Sequence, residues 1–233
     1  MEIFLKVALW IHIAAGFTSF IAAPVALAVQ KGGKAHRQWG KVFFWGMTVV
    51  ALTAFLISLF KWIPFLLMLS VFSYYAVVDG YRALFLKNLY DGQKPATLDW
   101  AVAIITGVFS LGLIGYAIYV YFFLEISFGI VIGVFGVLGV NGVYTNLKKF
   151  KNPPKDKMDW LYNHISGMMG GYIATLSAFS ATNFFFLPPI IRWLWPTIIG
   201  VPLMMYWIRK YKKKYNQPKK KAEPVLEQEL EVV

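Results

Sequence analysis

The stretch that decides how this chain folds is residues 30–46, which read QKGGKAHRQWGKVFFWG. It is a basic turn that contains His36, and it lies between two long apolar runs. A helix of about 20 apolar residues crosses the roughly 30 Å hydrocarbon core of a bilayer. We therefore predict that this turn joins two membrane-spanning helices as a hairpin.

The composition of the whole chain also indicates membrane-spanning helices. Of its 233 residues, 58% are hydrophobic and only 15% are charged, whereas a soluble domain is about half apolar and about a quarter charged. The chain has no cysteine, which excludes disulfides, thiolate metal sites, iron–sulfur clusters and a cysteine nucleophile. These properties predict a polytopic membrane protein.

Seven apolar segments are predicted to span the bilayer, at residues 3–29, 40–60, 62–84, 99–123, 126–146, 158–184 and 190–208. Lysine and arginine concentrate in alternate connections and after the seventh segment, and the net charge is +12. Because basic loops stay on the cytoplasmic side, we expect a bacterial inner-membrane protein with its N-terminus outside and its C-terminus in the cytoplasm. Topology accounts for the basic charge, so we expect the lipid bilayer and not nucleic acid as the partner.

The chain divides into two parts on this reading. Residues 1–208 form the transmembrane domain, and residues 209–233 form a basic, Pro-broken tail that we expect to be disordered in the cytoplasm. The basic half of the tail is expected either to contact anionic lipid headgroups or simply to flank the last span.

A weak internal repeat relates the later spans. The matched positions are Asp79-Gly80 with Asn141-Gly142, and Asp99-Trp100 with Asp159-Trp160. The hypothesis is an all-α, seven-transmembrane-helix bundle of three helical-hairpin repeats plus a seventh helix. Chance recurrence of tryptophan anchors and packing glycines is the alternative. Asp99 and Asp159 stand at helix starts, where they would complement the helix dipole.

Small residues line one face of each of two neighbouring spans. In the fifth span they recur at spacings of three and four from Gly129 to Gly142, and in the sixth they run from Ser166 to Ala174. Small side chains let neighbouring helix backbones approach closely. We expect the fifth and sixth spans to pack tightly against each other.

Polar side chains near the cytoplasmic ends of the spans form the predicted site. They are His36, Arg37, Asp79, Arg82, Asn141, Asn163 and His164. An ionisable residue inside a span is costly and is usually functional or paired. We expect these residues to form a cytoplasm-facing pocket that binds a small anionic or polar ligand, or a metal, for transport or sensing. The structural alternatives are a local Asp79–Arg82 ion pair, snorkelling arginines and a solvated His36.

Two rival functions use the histidines as ligands. His36, Asp79 and His164 would bind zinc in an intramembrane metal-dependent hydrolase if they lay at one depth. His12 and His164 would hold haem b in an electron-transfer protein if they faced each other across the bundle. The chain has no GxSxG, HExxH, P-loop or dinucleotide motif, so no reaction and no catalytic residue is assigned.

The turn KGGKAHRQWGKVF at 31–43, following a first span that contains His12, resembles the start of a broad group of uncharacterised bacterial multi-pass membrane proteins. That group shares a first-helix histidine and a KGGxxHRxxG(R/K) turn. The segments DGYRAL at 79–84 and NHISGMMGGYIATLSAF at 163–179 are similar to its later blocks, so the resemblance covers spans one to six. The matched positions are His12, Lys31, Gly32, Gly33, His36, Arg37, Gly40, Asp79, Arg82, His164 and Gly170. The resemblance implies shared features at these positions and no activity.

Overall fold

The structure is a computed structural model that describes residues 1–216. This part of the chain contains seven long helices. They are α1 (Glu2–Ala28), α2 (Lys34–Phe60), α3 (Pro64–Arg82), α4 (Thr97–Ile118), α5 (Gly129–Lys151), α6 (Asp159–Asn183) and α7 (Pro189–Asn216). Two short 3-10 turns lie between α3 and α4, and a π-helical turn extends α4 to Phe123. No strand occurs among these residues. The prediction of an all-helical chain is confirmed.

Five of these helices, α1 to α5, are long and apolar enough to cross a membrane by length and composition. Large apolar side chains such as Trp45, Leu52 and Val108 point outward from the bundle and are more than half exposed. Apolar surface of this extent is expected of a protein that faces lipid rather than water. α6 and α7 are less apolar than these five, and α6 contacts α1, α3 and α7.

The helices are arranged around a central pair, α3 and α6. α3 contacts α2, α4, α5 and α6, whereas α6 contacts α1, α3 and α7. The connections 29–33, 83–96 and 152–158 and the end of α7 lie at one end of the bundle, where contacts such as Lys87 over Trp160 and Lys212 over Tyr162 join them. We call this the basic end.

The backbones of α3 and α6 touch near the basic end. A Cβ atom added to Gly80 would lie 2.7 Å from the backbone nitrogen of Met168, and one added to Gly167 would lie 2.5 Å from the Cα of Gly80. Neither position has room for any side chain. Small residues at both positions therefore set the distance between the two central helices.

The glycines of α5 pack on α4 and not on α6. A Cβ atom on Gly136 would meet the backbone of Ile114, and one on Gly139 would meet Ser110. In the described part of the chain, no Cα atom of α5 lies within 8 Å of one in α6. The expectation that the fifth and sixth spans pack tightly is wrong, because the glycine spacing marks a face but not its partner.

The internal repeat is not confirmed by this arrangement. α1 packs on α2 and α3 packs on α4, whereas α5 and α6 do not pack as a hairpin. The matched residues also differ in their surroundings. Gly80 is buried against α6, but a side chain at Gly142 would meet open space.

Three predicted boundaries differ from the observed helices by five residues or more, when the π-helical turn is counted with α4. α5 continues to Lys151 instead of residue 146. α2 begins at Lys34 instead of residue 40, because the second half of the polar turn is already helical. α7 continues to Asn216, so its basic last turns are helical beyond the predicted division between residues 1–208 and 209–233. The predicted disorder and headgroup contacts of residues 217–233 lie outside the described residues.

We expect Gly167→Ala to destabilise the bundle by about 1–3 kcal/mol, the usual cost of overpacking. The matched control is Gly142→Ala, where the added methyl group meets nothing within 4 Å and the gain in helix propensity is up to about 1 kcal/mol. Thermal unfolding of the detergent-solubilised protein compares the two variants. Equal unfolding midpoints for the two variants would show that α3 and α6 can separate at Gly167 without loss of stability.

Candidate functional site

Two side chains of the basic turn close the C-terminal end of α1. Nδ1 of His36 lies 2.9 Å from the carbonyl oxygen of Ala26, and Lys31 donates to the carbonyl oxygens of Ala26 and Leu27. The last carbonyls of a helix lack intrahelical donors, and these side chains supply them. Gly32 has φ = +75°, a left-handed conformation that favours glycine. The turn is therefore a helix-capping device.

His36 and His164 are brought together at the basic end. Their ring centroids are 6.3 Å apart and their planes are inclined by 77°. Nδ1 of His164 lies 2.8 Å from the carbonyl oxygen of Gly80, at the point where α3 and α6 touch. Since a carbonyl oxygen only accepts, each ring donates its Nδ1–H and keeps the lone pair of Nε2. Both side chains are half-buried. We call them the histidine pair.

His12 lies apart from the histidine pair. Its Nδ1 is 3.1 Å from the carbonyl oxygen of Val50 and 3.0 Å from Oγ1 of Thr53, so it joins α1 to α2. Among the described residues, the ring neighbour of His164 is His36 and not His12. The facing His12–His164 pair that a haem b site would need is therefore not observed.

Asp79 points away from the histidine pair, although it precedes Gly80 directly. Successive residues of an α-helix point about 100° apart, so Gly80 faces α6 while Asp79 faces α4 and α5. The lining of the resulting cleft is mixed polar and apolar: Tyr75, Val78, Asp79, Arg82, Leu86, Leu98, Asp99, Val102 and Phe150. We call this space the Asp79 cleft.

Arg82 pairs with Asp99 rather than with Asp79. Its Nε donates to Oδ1 of Asp99 at 2.6 Å and its Nη2 donates to Oδ2 at 2.9 Å. Oδ2 of Asp99 also accepts the backbone N–H of Ala96 at 2.8 Å, which caps the start of α4. The predicted position of Asp99 at a helix start is confirmed, and the cap and the ion pair are roles that the sequence pattern does not indicate.

A second ion pair joins α5 to α6. Nζ of Lys149 lies 3.0 Å from Oδ2 of Asp159 and also donates to Oδ1 of Asn163. Asn163, one of the predicted ligand-binding residues, is thus a partner of Lys149. Two of the predicted site residues, Arg37 and Asn141, have exposed side chains and belong to neither the histidine pair nor the lining of the Asp79 cleft.

The amide that α5 contributes near the cleft is Asn146, which the sequence analysis missed. Its Nδ2 donates to Oη of Tyr75 at 2.7 Å, and it is a polar neighbour of Asp79. One signal could have identified it. Gly139, Val143 and Asn146 are spaced four and three apart and share the buried face of α5, and Asn141 lies off that face.

The predicted zinc site does not form. In residues 1–216, no three histidine, aspartate or glutamate side chains lie close enough together to hold one metal ion. His36 and His164 lie together on one side of α3 and Asp79 lies on another. The single pocket predicted from the sequence is therefore divided into the histidine pair and the Asp79 cleft.

The Asp79 cleft carries one unmatched carboxylate. Arg82 is matched by Asp99, and Lys149 is matched by Asp159. Within the described residues, Asp79 has no cationic nitrogen within 4.0 Å, and its side chain is half-buried. A half-buried carboxylate of this kind attracts a proton or another small cation.

We expect Asp99→Ala to lower the stability by about 2–4 kcal/mol, because it removes both a buried partner of Arg82 and the cap of Ala96. Asp91→Ala is the control, since Asp91 is an exposed acid in the connection that precedes α4. Thermal unfolding at neutral pH measures both changes. A loss no larger than that of the control would mean that the Arg82–Asp99 contact contributes nothing.

A scan against protein-family models, a search of curated proteins and a search of solved structures each find no match to this chain. The resemblance carried by the KGGKAHRQWGK turn therefore stays a prediction.

Proposed function

We propose that this chain is a seven-span protein of a bacterial inner membrane, with its N-terminus outside and its C-terminus in the cytoplasm. Five helices with the length and composition of membrane spans support this proposal. The distribution of charge supports it further. The connections 61–63, 124–128 and 184–188 lie at the end opposite the basic end. Their only charged residues are Lys61 and Glu125, as expected of loops on the outer side.

The orientation is testable by cysteine labelling, because the chain has no cysteine of its own. We expect a membrane-impermeant thiol reagent to label Ser127→Cys and Phe186→Cys on intact cells. Lys94→Cys and Lys155→Cys should react only after the cells are opened. Labelling of Lys94→Cys on intact cells would reverse the proposed orientation.

The ligand in this proposal is a small cation, bound in the Asp79 cleft for transport or sensing. The unmatched carboxylate of Asp79 carries the argument. An anionic ligand would need Arg82 or Lys149, and both are already paired with carboxylates. The structure therefore favours a cation over the anionic ligand considered from the sequence.

Tyr75 and Asn146 are polar neighbours of Asp79. Tyr75 lines the same cleft, and its Oη accepts a hydrogen bond from Nδ2 of Asn146. Carboxylate, hydroxyl and amide oxygens are the ligands that hard cations prefer. Water would complete the coordination of an ion held by so few protein atoms.

Cation binding is testable with the full chain in lipid nanodiscs. Lithium, sodium, potassium and ammonium chloride are each titrated against N-methylglucamine chloride at constant ionic strength, and the melting temperature is recorded. Tryptophan fluorescence gives a second signal, since Trp100 packs on Phe150 of the cleft lining. We expect one of the small cations to stabilise the protein saturably, as binding to the folded state alone requires.

Two variants test whether the cation that stabilises the protein binds in the Asp79 cleft. Asp79→Asn keeps the size of the side chain and removes its charge, so we expect the stabilisation to disappear. Asp91→Asn removes an exposed charge from the neighbouring connection and should leave the response unchanged. An identical response in Asp79→Asn and the unaltered chain, or no response to any small cation, would contradict the proposal.

A further inference from the structure

The separation of the rings in the histidine pair matches that of two imidazoles that lie on opposite sides of one metal ion. With metal–nitrogen bonds of about 2.0–2.1 Å, two imidazoles on one ion have ring centroids roughly 5–6.5 Å apart. The centroids of His36 and His164 are 6.3 Å apart. The two rings come from different helices, α2 and α6, so an ion between them would join two elements that are distant in sequence.

Both rings are already held in the tautomer that a metal ligand needs. A metal-binding histidine usually donates its other ring N–H to a backbone carbonyl or a carboxylate, which fixes the ring and raises its basicity. His36 donates Nδ1–H to Ala26 and His164 donates Nδ1–H to Gly80. Among the described residues neither Nε2 has a hydrogen-bond partner, and neither atom is fully buried. Both lone pairs are therefore open to an incoming ion.

We propose that Nε2 of His36 and Nε2 of His164 bind one transition-metal ion of the class that prefers imidazole, namely Cu²⁺, Ni²⁺, Co²⁺ or Zn²⁺. Water fills the remaining positions, because Asp79 points to another face of α3. An ion with two protein ligands and open positions exchanges readily, unlike the closed four-ligand sites that hold structural zinc. This site is separate from the Asp79 cleft and from the cation proposed there.

The chain supplies its own control. It has three histidines, and His12 donates Nδ1–H to a backbone carbonyl as the other two do but has no histidine neighbour among the described residues. His12→Gln should therefore leave metal binding unchanged. Glutamine is the replacement in all three variants, because it is polar and similar in length to histidine while its weakly basic amide oxygen is a poor ligand for these ions.

The experiment uses the full chain in detergent, purified with an affinity tag that contains no histidine. One equivalent of Cu²⁺ is added and the electron paramagnetic resonance spectrum is recorded. We expect one ion per chain with hyperfine coupling to two nitrogens. Its affinity should fall at least about tenfold in His36→Gln and in His164→Gln, and remain unchanged in His12→Gln. Zn²⁺ should compete for the same site.

Several results would overturn the proposal. They are binding of equal affinity in the double variant His36→Gln/His164→Gln, coupling to no nitrogen or to a single nitrogen, and the absence of stoichiometric binding. The nitrogen count is read from the unaltered chain, so it decides the matter even if a variant fails to fold. Asp79→Asn should bind Cu²⁺ normally, which means that this proposal and the cation proposal can fail separately.

Discussion

The contact between the backbones of α3 and α6 at Gly80 and Gly167 is the constraint on which the rest of the structure depends. Without side chains at these positions the central helices approach closely enough for His164 to donate to the carbonyl of Gly80. That bond places the ring of His164 beside the ring of His36. The same contact places α6 among α1, α3 and α7.

Histidine has one recurring role in this fold. Each of the three donates Nδ1–H to a backbone carbonyl of a neighbouring helix. An imidazole N–H between helices is costly to leave without a partner, and each of these bonds supplies one. What distinguishes the histidines is their neighbours. His36 and His164 converge because two of these bonds form at the same end of the bundle, whereas His12 bonds to the middle of α2.

At the basic end, two cations are paired with carboxylates and one carboxylate has no cationic partner. Arg82 and Lys149 are matched by Asp99 and Asp159, carboxylates at the starts of the following helices. These partly buried ion pairs join neighbouring helices, and removing one partner would leave the other charge uncompensated. Once these cations are paired, the carboxylate of Asp79 is left over. A count of charges along the sequence shows an excess of basic residues, yet the cleft itself carries an excess of one acid.

The sequence by itself determined the helical class, the number of long helices, most of their boundaries and the gathering of basic residues in alternate connections. These properties depend on the composition of continuous segments. Only the tertiary structure decided which faces meet. Asp79 and Gly80 are adjacent but point about 100° apart, and Asn141 and Asn146 differ by about 140° around α5. Glycine spacing likewise marks a face for close packing without naming its partner, because the choice among helices rests on contacts between residues far apart in the chain.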